Sequence, residues 1–158
     1  MRILVIDDDP GVRLLCRIAF RADGDEVIEM AGGREGLEIL ASGGADAVVL
    51  DVMLPSINGF EILRRIRKDE RTSDLPVVLL SVRVGIQDQI EGWKAGADAY
   101  LTKPFSPSEM AAKVHEVCRP DARDRAFRRE DRLRERVGFF VTEPLSGALG
   151  PAAESGRS

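Results

Sequence analysis

Apolar residues along this chain fall into short solid runs, separated by stretches in which they recur at helical spacing. Residues 3–6 form a continuous apolar run, long enough for a strand buried on both faces. Pro10 stands where a helix can begin, and Val12, Leu15, Cys16 and Ala19 continue that helix to about Ala22. Glu26–Met30 predicts a second strand, and Gly33–Ala41 a short helix with Leu37, Leu40 and Ala41 inward. Residues 47–50 are a third apolar run that ends on Asp51. Pro55 and Gly59 bracket a loop, after which Phe60, Leu63 and Ile66 predict a helix whose Arg64, Arg65, Arg67 and Lys68 face solvent. A fourth strand is expected at 76–80, a helix with Ile86, Ile90 and Trp93 on one face closing at Gly96, and a fifth strand at Ala99–Thr102. Ser106, Pro107 and Glu109 form a capping box that opens a last helix, with Met110, Val114 and Val117 inward.

Alternation of this kind implies an α/β fold with a five-stranded parallel sheet, helices on both faces and right-handed crossovers. Ligands in open sheets bind beyond the carboxyl ends of the strands. That rule points to Asp7, Asp51, Ser81 and the Thr102-Lys103 pair, each at the end of a different strand. Asp7, Asp8 and Asp51 would share one cleft, and close carboxylates repel unless a cation enters. Hard oxygen donors suit Mg²⁺, with Mn²⁺ as a substitute. A carboxylate can also act as a nucleophile toward phosphorus, with Lys103 supplying positive charge and Ser81 a hydroxyl. Taken singly these residues are ordinary turn and cap residues, and Asp9 reads as the helix N-cap before Pro10. The weight lies in their joint placement.

The length of 158 residues suits one domain with its own core. Net charge is −4, but residues 1–118 carry 14 Lys and Arg against 20 Asp and Glu, while 119–158 carry 9 against 7. The shift puts a boundary at Arg119-Pro120, and the acidic first segment argues against direct contact with nucleic acid. No apolar run suits a membrane. Cys16 and Cys118 lack metal-ligand spacing and read as free thiols of a cytoplasmic protein.

Three stretches carry a family resemblance: Leu4-Val5-Ile6-Asp7-Asp8-Asp9, Val48-Val49-Leu50-Asp51-Val52-Met53-Leu54-Pro55, and Gly96-Ala97-Asp98-Ala99-Tyr100-Leu101-Thr102-Lys103-Pro104-Phe105. In sequence, order and separation they resemble the signatures of two-component response-regulator receivers, over residues 2–118. The resemblance implies a flavodoxin-like, doubly wound (βα)5 sandwich and a role in phosphorelay signalling rather than as an enzyme. Asp51 would be the phosphoacceptor. Asp8, Asp51 and the backbone carbonyl of Met53 would bind Mg²⁺, with Asp7 assisting. Lys103 would contact the phosphoryl group, Ser81 would bond it, Tyr100 would rotate inward in step, and the Lys103-Pro104 peptide would be cis. A histidine kinase or phosphotransfer protein would be the donor, and a protein effector the reader of the fourth helix, fifth strand and fifth helix.

Departures from the pattern are Asn58, a cap change, Val82, whose bulk would narrow access and slow dephosphorylation, and Trp93, read as core packing. The final helix most resembles receivers of winged-helix transcription factors, whose pairing charges are incomplete here at Gln89 and Ala99, although Glu109 and Lys113 fit. That face and the 119–140 helix are the two candidate homodimer surfaces.

Residues 119–140 read as a charged helical extension, with Asp121–Arg125, Asp124–Arg128 and Glu130–Arg134 as local ion pairs. Ala126, Leu133 and Val137 form a thin seam, suited to a solvated helix or a short coiled coil, and Phe139-Phe140 must bury against something. Residues 141–149 faintly resemble the opening of a diguanylate cyclase domain, and 141–158 read as a flexible tail. The competing readings are a pseudo-receiver that only binds partners, a receiver piece of a longer regulator such as a diguanylate cyclase, and an aspartyl-phosphate phosphatase, which would need a substrate cap.

Overall fold

Ile3, Leu4, Val5 and Ile6 are all fully buried, and alternate side chains serve opposite cores. Ile3 and Val5 join one cluster with Cys16, Phe20, Met110 and Val114; Leu4 and Ile6 join the other with Leu40, Phe60, Leu63 and Trp93. A strand sandwiched in this way must be apolar throughout, because helices cover both its faces. The computed structural model of the chain describes residues 1–83 and 85–141. Five parallel strands, β1 (Arg2–Ile6), β2 (Glu26–Met30), β3 (Ala47–Asp51), β4 (Val77–Ser81) and β5 (Ala99–Thr102), lie in the order β2-β1-β3-β4-β5. Helices α1 (Pro10–Ala22) and α5 (Pro107–Cys118) cover one face; α2 (Gly33–Ala41), α3 (Gly59–Lys68) and α4 (Ile86–Ala95) cover the other. The parallel sheet with helices on both faces is what the alternation predicts, and its strand order gives the flavodoxin-like doubly wound fold that the resemblance implies.

Local chemistry sets the helix starts. Asp9 caps α1 by accepting from the Gly11 N–H, and Asn58 caps α3 by accepting from the Phe60 N–H. Ser106 and Glu109 make the reciprocal capping box of α5. Gly59 is required by space: a Cβ there would lie 2.2 Å from the Asp51 carbonyl oxygen, so α3 starts hard against the end of β3. Gly96 closes α4 in the left-handed region at φ +98°.

A sixth helix, α6 (Ala122–Val141), departs from the local ion pairs expected of it. Arg125 reaches back to the Asp74 carbonyl and Arg129 to the Asp98 carboxylate; of the expected pairs, Glu130–Arg134 is present at 3.9 Å. The reason is burial. Asp98 is only 5% exposed, and a buried carboxylate demands compensation that a solvated i,i+4 partner does not. Leu133 packs onto the α3–α4 core, and α6 lies along α4 of its own chain. The side chains of Val137, Phe139 and Phe140, and the whole of 142–158 with its resemblance to a cyclase opening, lie outside the described residues. No helix among the described residues is long and apolar enough to cross a membrane.

Candidate functional site

The loops after β1, β3, β4 and β5 meet at one edge of the sheet, as the parallel topology requires. β3 and β4 run one residue further than the apolar pattern predicts, so Asp51 and Ser81 are the last residues of their strands. Each is held by the backbone that follows it. The Met53 N–H donates to Asp51 Oδ1 at 3.0 Å, and the Arg83 N–H to Ser81 Oγ at 2.9 Å. Asp7 Oδ1 accepts from the Asp9 N–H at 2.9 Å, and Arg13 Nη1 donates to the Asp7 carbonyl at 2.7 Å. Asp7 is fully buried, Asp51 is 4% exposed, and Asp8 stands open to solvent.

Carboxylate oxygens of Asp7, Asp8 and Asp51 lie within 4.8 Å of one another, close enough to share a cation. Lys103 enters from the β5 end, with Nζ 2.8 Å from Asp7 Oδ2 and 3.3 Å from Asp51 Oδ2. The Lys103-Pro104 peptide is cis. Burial pushes the Asp7 carboxyl above its ordinary range, and the Lys103 ammonium only partly offsets this. Burial also works against the charge on Lys103, but its bond to Asp7 and the two carboxylates together hold its pKa above the ordinary lysine value. Three hard oxygen donors facing one amine are short of positive charge, and this donor set fits Mg²⁺ or Mn²⁺.

The linkage of Asp7 to stability has a definite sign. The folded state holds a proton at Asp7 more tightly than the unfolded chain, so this group costs stability at neutral pH. That cost is relieved as pH falls through the raised folded value toward 3.8, the ordinary carboxyl value. Without divalent cation, the wild-type urea midpoint should therefore gain on that of Asp7→Asn as pH is lowered through this window. Parallel midpoints across the window would contradict the assignment.

Tyr100 sits beside this cluster, its hydroxyl donating to the Arg83 carbonyl at 3.2 Å. Val82 is 60% exposed at the rim. Trp93 is buried in the core. Cys16 is buried, which pushes its thiol up to about 12, and neither cysteine is bonded to the other. Sequence reasoning missed two participants. Arg13 braces the Asp7 backbone, and only its position four residues beyond the Asp9 cap hinted at that role. Asp98, quoted only as part of a motif, holds Arg67 Nη2 at 3.0 Å and Arg129 Nε at 2.7 Å and accepts from the Val77 N–H at 2.8 Å.

Residues 3–115 match the family model described as the response regulator receiver domain. The chain is 43% identical over 118 residues to the DNA-binding dual master transcriptional regulator RpaA of Synechocystis, covering 75% of this chain and 49% of that protein. It is 32% identical over 157 residues to the phosphate regulon transcriptional regulatory protein PhoB of Pseudomonas aeruginosa, covering 98% of this chain and 66% of that one. It thus spans less than two thirds of the length of either relative. A crystal structure of a putative response regulator from Chloroflexus aurantiacus superposes with a TM-score of 0.72 at 34% identity, over 75% of this chain and 98% of that one.

These relatives correct one expectation. The acidic balance of residues 1–118 argues against direct contact with nucleic acid, yet RpaA, similar over 118 residues, is a DNA-binding regulator. The matched segment is about half of RpaA, so its charge says nothing about the surface with which the longer protein meets DNA. Fold, signature stretches and family match agree: the chain belongs to the response regulator receiver family of two-component signalling proteins.

Proposed function

We propose that residues 1–118 are a phosphorylatable switch that accepts a phosphoryl group from a histidine kinase on Asp51. The observation that carries this reading is the placement of Asp51 at the end of β3, 3.3 Å from the Lys103 ammonium and inside a three-carboxylate cluster. An Asp51 oxygen attacks phosphorus, an O–P bond forms, and the P–N bond to the donor imidazole breaks. Asp8, Asp51 and the Met53 carbonyl would hold Mg²⁺, or Mn²⁺ in its place, with Asp7 assisting; the ion would offset negative charge on the transferring group. Lys103 neutralises a phosphoryl oxygen, and the Ser81 hydroxyl donates to another. Tyr100 follows Ser81, and the face of α4, β5 and α5 reports the change to a protein reader. The relatives favour transcription as the output, with contact to DNA made outside the receiver.

Intact mass of the full chain after incubation with acetyl phosphate tests this. A gain of one phosphoryl group is expected with Mg²⁺, little or none after chelation, and none in Asp51→Asn. A folded chain that never gains the mass would leave this fold as an interaction module only.

A further inference from the structure

Three arginines on one stripe of α6 define a surface on the receiver. Arg125, Arg129 and Arg132 recur at spacings of four and three, so they share a helix face. Arg129 forms a two-point contact with buried Asp98 through Nε and Nη2, at 2.7 and 2.9 Å. Arg132 lies over the Trp93 ring, 4.6 Å from its centroid, and also donates to the Asp98 carbonyl. Leu133 adds one apolar contact with the core, and the rest of the interface is polar and incompletely filled. A cleft of about 380 Å³ remains between α6 and the β5–α5 side, bordered by Tyr100, Lys113, Glu116 and Arg128. Polar, loosely filled contacts within one chain are the ones that separate and re-form.

The same face is connected to the Asp51 site. Ser81 Oγ accepts from the Arg83 N–H, and the Arg83 carbonyl accepts from the Tyr100 hydroxyl. The Tyr100 ring lies so close to α4 that a Cβ on Gly92 would meet it at 3.2 Å. Trp93, which carries Arg132, is the next residue. A group on Asp51 that recruits the Ser81 hydroxyl must disturb the Arg83 loop, and with it Tyr100 and the α4 surface under α6.

We propose that α6 is a latch on the α4–β5–α5 face in the unphosphorylated protein, and that phosphorylation of Asp51 releases it. Release exposes a receiver surface fitted to a helix bearing arginines at that spacing. The inference rests on the phosphorylation reading above and extends it to regulation. Coupling is reciprocal, so weakening the latch must also favour the phosphorylated state.

Trp93 is the single tryptophan of the chain, so its emission reports the latch directly. The experiment uses the full chain with acetyl phosphate and Mg²⁺, following intact mass, Trp93 emission and hydrogen exchange of the α6 amides together. Phosphorylation should shift Trp93 emission and speed exchange in α6 by about thirtyfold, the middle of the usual coupling range. The double variant Arg129→Ala, Arg132→Ala should show the released signature without a phosphodonor, keep strand amides protected, and gain the phosphoryl mass faster than wild type. A phosphorylated chain with unchanged α6 exchange and Trp93 emission overturns the latch and leaves the phosphorylation reading standing. A chain that gains no mass overturns both. A double variant with α6 still protected, or phosphorylated no faster, overturns the assigned contacts.

Discussion

Asp98→Ala should lower the melting temperature by about 10–20 °C, from a loss of roughly 3–5 kcal/mol. The carboxylate is almost fully buried and satisfies three elements at once. It takes Arg67 Nη2 from α3, Arg129 from α6 and the Val77 N–H at the start of β4. Arg67 is itself deeply placed: burial lowers its guanidinium to about 10, and nearby Arg129 adds to this while Asp98 works against it. Removing the carboxylate leaves two adjacent cations facing each other with a backbone N–H stranded between strands. That is the situation in which breaking a buried pair costs far more than the pair contributes. Arg129→Ala should cost much less, because Arg67 and Asp98 still compensate each other at 3.0 Å. Thermal unfolding of the two variants beside wild type checks the order. Equal losses would mean that Asp98 serves α6 alone.

The second large effect is expected at Lys103→Ala, where phosphoryl incorporation from acetyl phosphate with saturating Mg²⁺ should slow by about 10²–10³-fold. Lys103 is the amine that meets both Asp7 and Asp51, so it supplies the fixed positive charge nearest the attacking oxygen. Its loss also strands the Asp7 carboxylate, which burial already holds above its ordinary range. Lys103→Arg should recover only part of the rate, because a planar fork cannot reproduce a point charge between two carboxylates. The time course of the mass gain measures this, and a Lys103→Ala rate within threefold of wild type would remove the residue from the reaction.

The sequence made the sheet legible because strands buried on both faces must be apolar throughout. Residues 3–6 and 47–50 carry that signal with almost no competing pattern, and Asp9, Asn58 and Ser106 mark helix starts by their side-chain oxygens. Strand ends were harder to read. Asp51 and Ser81 belong to the ladders, with Asp51 paired to Leu80 and Ser81 to Thr102, but a polar residue closing an apolar run looks like the first residue of a loop. The clustering of Asp7, Asp8, Asp51 and Lys103 followed from topology, since the ends of β1, β3 and β5 point one way. The seat of α6 did not. Its arginines have acidic neighbours one turn away, which is all a local reading can weigh, whereas the partner that Arg129 takes is 31 residues distant in sequence and buried. Burial of Asp98 is visible only after the strands are assembled.

The junction between the last two helices carries a consequence for how receivers of this kind can be spliced. Arg119, which caps the end of α5, keeps right-handed helical geometry rather than forming a left-handed terminator, and Pro120 then interrupts the ladder. Only residues 119–121 separate the two helices. One residue added or removed there turns α6 by about 100° about its axis and carries Arg129 away from Asp98. The junction therefore works as an angular key: two chains of nearly the same composition, differing by one residue at this point, would present different sides of the same helix to the receiver.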